Sequence, residues 1–285
     1  MEVVTIRIGF IGAGKVGFSL GKYFRDNNLN VIGYYSKNLD SAKEAAEFTD
    51  SKYYYDMENL VKECDTIFIT TPDETIKKIW SSVKQLSIKG KIICHCSGSL
   101  SSRVFSNIEY YNSYGYSIHP MFAFNHKYNS YNDLDKAFFT IEGPLEKMDI
   151  IKNLILGIGN KIKVISAENK VKYHVASVIA SNHVIALVQV AVEDLKQCGF
   201  NEEDALESLY PLISNNIKNI GSDGIINSLT GPIERADGGT IKNHLECLGD
   251  EDRELYKLLS RKLIRIAKKK NKDRNYRQIE DMIGD

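Results

Sequence analysis

The chain divides into two parts by the way its apolar residues recur. Up to about residue 165, short β-branched runs alternate with polar or amphipathic stretches, the pattern of βαβ units on a parallel sheet. The runs that predict strands are residues 5–11, 30–35, 66–70, 91–95, 115–118, 137–141 and 161–165, with a short addition at 53–55. From residue 166 the strand pattern stops, and helical stretches follow with breaks at Gly199, Pro211, 221–224 and 231–232. We therefore predict an α/β protein with a doubly wound, mostly parallel sheet in residues 1–165 and a smaller all-α domain in residues 166–285.

A glycine-rich loop joins the first predicted strand to a helical stretch. Its residues are Gly12, Ala13, Gly14, Lys15, Val16 and Gly17. The first glycine allows a tight turn, the second lets the backbone approach a pyrophosphate, and the third permits close packing of helix on strand. The phosphates would then face the N-terminus of the helix. The loop in this context predicts a dinucleotide-binding Rossmann domain over residues 1–165.

The residues that follow the second and fourth strands bear on which dinucleotide binds. No acidic residue stands after Tyr35, where a carboxylate would hold the ribose 2′-hydroxyl of NAD. Ser36 and Lys37 stand there instead, and both suit the 2′-phosphate of NADP, although Lys37 is also explained as an ordinary loop lysine. Thus NADP is favoured over NAD. The turn formed by Thr70, Thr71 and Pro72 is expected to line the nicotinamide ribose, because ligands bind at the carboxyl ends of parallel strands.

Charge and cysteine content narrow the partners. Lysine plus arginine equals aspartate plus glutamate, 37 each, so no net field favours nucleic acid or an anionic membrane. A small-molecule substrate is therefore the expected partner. Five cysteines without a CxxC pair fit a reducing compartment. Cys94, His95 and Cys96 offer metal ligands, but their short apolar run is better explained as a strand, and no metal site is predicted.

The expected location is the cytoplasm. Residues 1–12 lack the basic leader and apolar stretch of a secretory signal. Residues 175–192 are apolar enough to raise the question of a membrane span, but they carry Ser177, Ser181, Asn182, His183 and Gln189. A buried helix is therefore expected. Because a second domain of about 120 residues cannot easily cover such a helix on all sides, we also expect a homodimer.

Several motifs along nearly the whole chain resemble one family. They are the glycine loop, residues 96–99, 117–121, Tyr173 with His174, Ser181 with Asn182, and residues 229–232 with Arg235, Asp237, Thr240, His244 and Leu245. Together they resemble a bacterial family of Rossmann-like NADP oxidoreductases related to 3-hydroxyacid and prephenate dehydrogenases and to pyrroline-5-carboxylate reductases. The resemblance implies a dinucleotide domain followed by a helical domain that often dimerises. Ser97 joins the expected cofactor contacts.

Polar residues on one face of the helix that starts near Lys170 are the candidates for catalysis. At 100° per residue, Lys170, His174, Ser177, Ser181, Asn182 and Gln189 fall within an arc of about 140°. We expect His174 to donate or accept the proton and Asn182, with Ser181, to contact the substrate. Lys170 would add charge, since 3-hydroxyacid dehydrogenases use a lysine and an asparagine on this helix, at a different spacing. His119 is the rival acid-base group, and a structural polar seam is the alternative.

A second candidate substrate site lies in residues 231–240. The run is explained as a loop that delivers the N-cap residue Thr240 to a short helix ending near Gly249. Arg235 suits a substrate carboxylate or phosphate, with Asp237 positioning it, although a surface arginine is an equal alternative.

These features support two functions. One is an NADP-dependent dehydrogenase or reductase acting on a small, anionic oxo, hydroxy or imino acid. The alternative is an NADP-binding sensor or regulatory protein without turnover, because many Rossmann domains bind nucleotide without hydride chemistry.

Overall fold

The first part of the chain is built on one eight-stranded sheet. The computed structural model describes residues 6–284, so residue 5 of the first predicted strand lies outside the described residues. The strands are β1 Arg7–Ile11, β2 Asn30–Tyr35, β3 Lys52–Tyr54, β4 Thr66–Ile69, β5 Ile92–His95, β6 Tyr114–Met121, β7 Phe138–Glu142 and β8 Lys161–Val164. Their order is β3-β2-β1-β4-β5-β6-β7-β8. All neighbours are parallel except β6 and β7. The predicted α/β fold class, with its mostly parallel doubly wound sheet, is confirmed.

Helices cover both faces of this sheet. They are α1 Lys15–Asp26, α2 Leu39–Phe48, α3 Met57–Glu63, α4 Asp73–Val83 and α5 Met148–Gly157. A sixth helix, α6 Lys170–Ala180, is mostly exposed, and Lys170 is its buried residue. Phe10 and Phe68 belong to one buried cluster, and Ile67 and Trp80 belong to another. Burial on both faces explains why the central strands are continuous apolar runs rather than alternating ones.

The second part is all helical and has its own small core. Its helices are α7 Asn182–Gln197, α8 Glu202–Ser228, α9 Pro232–Arg235, α10 Gly238–Cys247, α11 Asp250–Lys270 and α12 Arg277–Ile283. Ile241, Ile264 and Tyr276 are among the residues buried in that core. The predicted break at Pro211 is wrong, because this proline lies inside α8. The break at 221–224 is confirmed at Gly224, whose φ of 77° and ψ of 165° are not helical.

The structure divides into two compact units after Ser181, whereas the sequence placed the domain boundary after residue 165. The difference arises because α6 packs with the sheet through Lys170 and Tyr173. Ser181, at φ −125° and ψ −77°, then ends this helix. The polar arc predicted along one continuous helix from Lys170 to Gln189 is therefore wrong beyond Ser181.

The apolar stretch around this break is not the buried helix that the sequence predicted. Within the described residues, the helical stretch Ala167–Gln197 is long and apolar enough to cross a membrane, with a mean hydropathy of 1.9. Only 6% of that apolar window is buried. A single helix of this kind is weak evidence for a membrane span, since length and composition alone are tested.

Candidate active site

The glycine loop has the backbone conformation that the sequence predicted. Gly12 has a φ of +112°, which L side chains rarely adopt, and its N–H donates to the carbonyl oxygen of Tyr35 at 2.8 Å. A Cβ at Gly17 would overlap the carbonyl oxygen of Gly12 and Oγ1 of Thr70. A Cβ at Gly14 would meet nothing within 4 Å. The first glycine is therefore required by its backbone conformation and the third by packing, and the second borders open space.

The N-terminus of α1 is open to a ligand. Gly14 is its N-cap residue and provides no side-chain hydrogen bond, and the first turn contains no acidic residue. Gly14 and Lys15 are exposed, Val16 is half-buried, and Ala13 is buried beneath them. The unpaired N–H groups of the first turn and the positive end of the helix dipole together favour a phosphate.

The end of β2 offers a cation and a hydroxyl but no carboxylate. Ser36 is half-buried and Lys37 is exposed. The next residue, Asn38, caps α2 by accepting hydrogen bonds from the N–H groups of Asp40 at 3.0 Å and Ser41 at 3.4 Å. Because Asn38 is committed to this cap, Ser36 and Lys37 are the residues of this turn left to contact a nucleotide ribose.

The turn after β4 supports the glycine loop from the side. Oγ1 of Thr70 donates to the carbonyl oxygen of Gly12 at 2.9 Å, so this predicted cofactor residue holds the loop in shape. Oγ1 of Thr71 is buried without a hydrogen-bond partner in the part of the chain that is described. Pro72 is exposed and is the N-cap residue of α4. Thr71 therefore has the free hydroxyl of this turn.

Ser97 organises the turn after β5. Its hydroxyl donates to Oδ2 of Asp73 at 2.7 Å and accepts from the N–H groups of Ser99 at 3.2 Å and Leu100 at 3.0 Å. A serine hydroxyl has one donor and two acceptor sites, so these bonds use its capacity. Direct contact between this hydroxyl and a cofactor, which the sequence predicted, is thus disfavoured by the turn itself.

Lys170 is the first residue of α6 and is 1% exposed. Its ammonium group donates to the carbonyl oxygen of Ser97 at 2.9 Å and to Oγ of Ser117 at 2.8 Å. Burial lowers the pKa of Lys170 to about 8, against the opposing influence of Glu142 and two other groups. Lys170 therefore joins α6 to β6 and to the turn after β5, and it places a buried positive charge beneath the site.

His119 and Tyr173 form a hydrogen-bonded pair. Nδ1 of His119, near the end of β6, lies 2.7 Å from the phenolic oxygen of Tyr173 on α6. The two rings meet edge to face, with centroids 5.6 Å apart. Burial, reinforced by Lys170 and His174, lowers the pKa of His119 to about 3. His119 is therefore a neutral imidazole at physiological pH.

His174 contributes a second imidazole to the same place. A Cβ on Gly98 would lie 2.6 Å from Nδ1 of His174 and 3.0 Å from Nε2 of His119, so both nitrogens border one point beside this glycine. Nδ1 of His174 is buried and has no hydrogen-bond partner among the described residues. A buried polar atom without a partner is costly, and a ligand atom would satisfy it.

The run Cys94, His95 and Cys96 is structural. Nδ1 of His95 accepts from the N–H of Ser97 at 3.2 Å, and Nε2 lies 3.2 Å from the carbonyl oxygen of Ser101. Burial raises the pKa of the Cys96 thiol to about 12. No group of three or more potential metal-ligating side chains occurs within residues 6–284.

The other residues predicted to contact the substrate are Ser181, Asn182 and Arg235. Ser181 ends α6 and donates to the carbonyl oxygen of Ser177 at 2.7 Å. Asn182 begins α7 in the second unit and is exposed. Arg235 is the exposed last residue of α9. A substrate role for these three residues stays a prediction.

The predicted N-cap of α10 is wrong, and the error bears on Asp237. The cap is Asp237 itself, which accepts from the N–H of Thr240 at 3.0 Å and from its hydroxyl at 2.7 Å. Thr240 lies in the first turn of the helix. The carboxylate of Asp237 is therefore committed to the helix start, which weakens its assignment as a residue that positions Arg235.

Three residues of the site were missed from the sequence. The sequence analysis assigns no role in the site to Tyr173, Asp73 or Gly98. The parallel register aligns His95 with Ser117, which places His119 beyond the end of β5 and beside Gly98. This register could have identified Gly98 as a site residue. It depends on how the strands pair, which a single sequence does not give.

Two family models match successive segments of the chain. Residues 7–97 match the model described as NADP oxidoreductase coenzyme F420-dependent. Residues 137–263 match the domain of unknown function DUF2520. The first segment contains the glycine loop and Ser97, and the second contains Lys170, Tyr173 and His174. No curated protein sequence matches the chain at a significant level.

Solved structures share the fold over nearly the whole chain. Protein TM1727 from Thermotoga maritima is 27% identical with a TM-score of 0.73, over 92% of this chain and 98% of that one. A protein from Bacteroides fragilis described as a "putative NADP oxidoreductase" is 23% identical with a TM-score of 0.68, over 91% and 98%. The pyrroline carboxylate reductase of Plasmodium falciparum, solved with NADP bound, is 14% identical with a TM-score of 0.60, over 93% and 96%.

The predicted resemblance is confirmed by these matches taken together. The order of the two family segments agrees with the order of the motifs, and the structural likeness extends over both units. The two structures below 25% identity establish the shared fold and leave the substrate open.

Proposed function

We propose that this chain, a Rossmann-like oxidoreductase by family, binds NADP and transfers hydride between its nicotinamide and a small oxo, hydroxy or imino acid. The observation that carries the proposal is the pair of imidazole nitrogens beside Gly98, of which Nδ1 of His174 is buried and unpaired. Both lie at the edge of the sheet where the glycine loop also ends its strand, the edge at which such sheets bind ligands.

The residues present fit a dinucleotide. The open space beside Gly14 lets phosphate oxygens reach the backbone N–H groups at the start of α1. Lys37 and Ser36 suit a 2′-phosphate, and no carboxylate stands in this turn to repel it. This composition supports NADP over NAD. When bound, the cofactor supplies or accepts the hydride, and every proton has to be handled by the chain and water.

The chain's own groups divide the proton chemistry and the binding of substrate. His174 and His119 can each hold a proton at the point beside Gly98, within reach of a carbonyl oxygen or imine nitrogen. The buried ammonium of Lys170 makes this region attractive to an anionic substrate, since its charge is only partly opposed by Glu142 and Asp73. We keep Asn182, Ser181 and Arg235 as proposed contacts to the substrate.

The decisive experiment follows the absorbance of NADPH during incubation with a panel of small oxo and imino acids. Turnover by the wild type, and its loss by 100-fold or more in His174→Gln, would support the proposal. The matched control is His126→Gln, which changes an exposed histidine in the loop after β6. Tight NADPH binding with no turnover of any acid would instead favour a sensor without catalysis.

We propose further that the protein is a cytoplasmic homodimer. Large apolar residues remain exposed along α7 and α8, among them Ile185, Tyr210 and Ile217. Contiguous exposed apolar surface on a soluble chain marks an interaction site. The five free cysteines agree with a reducing compartment. Light scattering should give twice the mass of the chain. A protein that stays in solution only with detergent would instead favour association with a membrane.

A further inference from the structure

We propose that Tyr173 is a positioning residue that keeps the proton of His119 on Nε2 and replaces that proton through Nδ1 when the substrate takes it. The role of Tyr173 follows from the geometry of the pair. Delivery of the proton to the substrate rests on the proposed function.

The hydrogen bond between the two side chains has one consistent direction. The phenolic oxygen of Tyr173 lies 2.7 Å from Nδ1 of His119. Burial raises the pKa of Tyr173, so the phenol keeps its proton and can donate it. The side chains of Thr140 and Ser177 act against burial and lower the pKa of this phenol, as hydrogen-bond donors to its oxygen do, so they leave the phenolic hydrogen for Nδ1. Nδ1 is therefore the acceptor, and the single N–H of the neutral imidazole is on Nε2.

The surroundings keep His119 neutral, which makes the tautomer decisive. Burial is the main influence that disfavours a second proton on the ring; Lys170, His174 and His95 add to it, and Asp73 opposes it. A neutral imidazole has one donor and one acceptor nitrogen. With Nδ1 occupied by the phenol, the donor is Nε2, which lies 3.0 Å from the Cβ position of Gly98.

This arrangement balances the proton in a reduction. Hydride adds to the carbon of the carbonyl or imine, the π electrons move to oxygen or nitrogen, and that atom takes the proton from Nε2. Nδ1 simultaneously takes the phenolic proton, so no imidazolate forms. The resulting phenolate lies near the ammonium group of Lys170, which is 5.5 Å from the centre of the Tyr173 ring. Water then returns a proton to the phenolate.

The alternative is that the hydroxyl of Tyr173 only fills space and does not set the tautomer of His119. Nitrogen NMR spectra distinguish this alternative from the positioning role. The full chain is labelled with ¹⁵N-histidine, and long-range ¹H–¹⁵N spectra report which ring nitrogen carries hydrogen. The signals of His119 are assigned by their loss in His119→Gln. The wild type should show His119 with hydrogen on Nε2, and Tyr173→Phe should convert it to a mixture of tautomers.

The matched control is Tyr110→Phe, because Tyr110 is 79% exposed. It should leave the His119 signals unchanged. Hydrogen on Nδ1 in the wild type, or an unchanged tautomer in a folded Tyr173→Phe, would overturn the positioning role. A melting temperature close to the wild-type value establishes that the variant is folded.

Kinetics test the delivery of the proton separately. With NADPH and a substrate that the wild type turns over, Tyr173→Phe should lower kcat by about 10- to 100-fold and leave the KM for NADPH unchanged. An unchanged kcat would refute delivery through this pair. If the wild type turns over no acid, the proposed function fails together with delivery, whereas the spectra still decide the positioning role.

Discussion

The two units differ in how completely they bury their large apolar side chains. In the first, Phe10, Phe68 and Trp80 are at most 1% exposed. In the second, Ile185, Tyr210 and Ile217 on α7 and α8 are 70%, 72% and 60% exposed. The sheet with its helices thus completes its own core, and polar groups at its edge can be held at fixed distances. The helices of the second unit leave exposed apolar surface of the kind that marks an interaction site.

The difference between the two units is tested most directly by placing charged residues on the exposed apolar surface of the second unit. In the double variant Ile185→Glu, Ile217→Glu, we expect the dissociation constant of the dimer to rise by about 1,000-fold or more, because a buried unpaired carboxylate is costly. Light scattering over a dilution series measures the change. Tyr110→Glu, on the exposed surface of the first unit, is the control. A monomeric wild type would contradict the proposed interface.

The first unit's dependence on close packing is tested at the glycine loop. Gly17→Ala should weaken NADPH binding by about 100-fold or more and lower the melting temperature, because the new methyl group overlaps the carbonyl oxygen of Gly12. Fluorescence titration and thermal melts measure the two effects. Gly14→Ala should weaken binding without a change in melting temperature, since its Cβ meets nothing within 4 Å. Gly157→Ala, in equally open space at the end of α5, should change neither.

A smaller change at the same edge separates binding from catalysis. In Gly98→Ala, the added methyl group would lie 2.6 Å from Nδ1 of His174 and force the two imidazoles apart. We expect kcat/KM to fall by about 10- to 100-fold, because displacements of about 1 Å have that effect on aligned groups. The dissociation constant of NADPH should change by less than about threefold, that is by under 1 kcal/mol. Equal losses in both would place this turn in the cofactor site instead.

The pH dependence of stability reports how completely the first unit buries polar groups. His95 is fully buried, and burial lowers its pKa from 6.5 to about 4. Between these two values the unfolded chain binds a proton that the folded chain does not, so stability falls as the pH falls through this window. The expected slope is about 1.4 kcal/mol per pH unit from this residue. In urea titrations from pH 7 to pH 4, His95→Asn should show a shallower loss, and an unchanged slope would contradict the assignment.

What the sequence predicted well depends on local pattern. Seven of the strands, the glycine loop and the acid-free end of β2 follow from residues close together in the chain, and the structure has them near the predicted positions. The roles of Ser97, Asp237 and Lys170 were harder to assign, because each depends on hydrogen bonds that no periodicity specifies. The hydroxyl of Ser97 is taken by its own turn, for example, and the carboxylate of Asp237 caps a helix.

The helical region also shows where prediction from local pattern fails. Composition predicts helices after residue 166. The helical periodicity of 100° per residue fails at Ser181, because the backbone leaves the helix there. The pairing of His119 with Tyr173 joins residues from β6 and α6 that are 54 positions apart. Contacts of this kind depend on the register of the sheet. No pattern in a single sequence predicts that register.

The smallest expected effect concerns the choice between NADP and NAD. Lys37→Ala should raise the dissociation constant of NADPH by about 10-fold, the equivalent of about 1.4 kcal/mol for one exposed charge contact, and leave that of NADH unchanged. The effect should shrink as salt is added, because Lys37 is exposed and its charge is screened. Lys43→Ala, an exposed cation on the neighbouring α2, is the control. If Lys37→Ala weakened both cofactors equally, the lysine would contact something common to them, and the preference for NADP would lose its support in this turn.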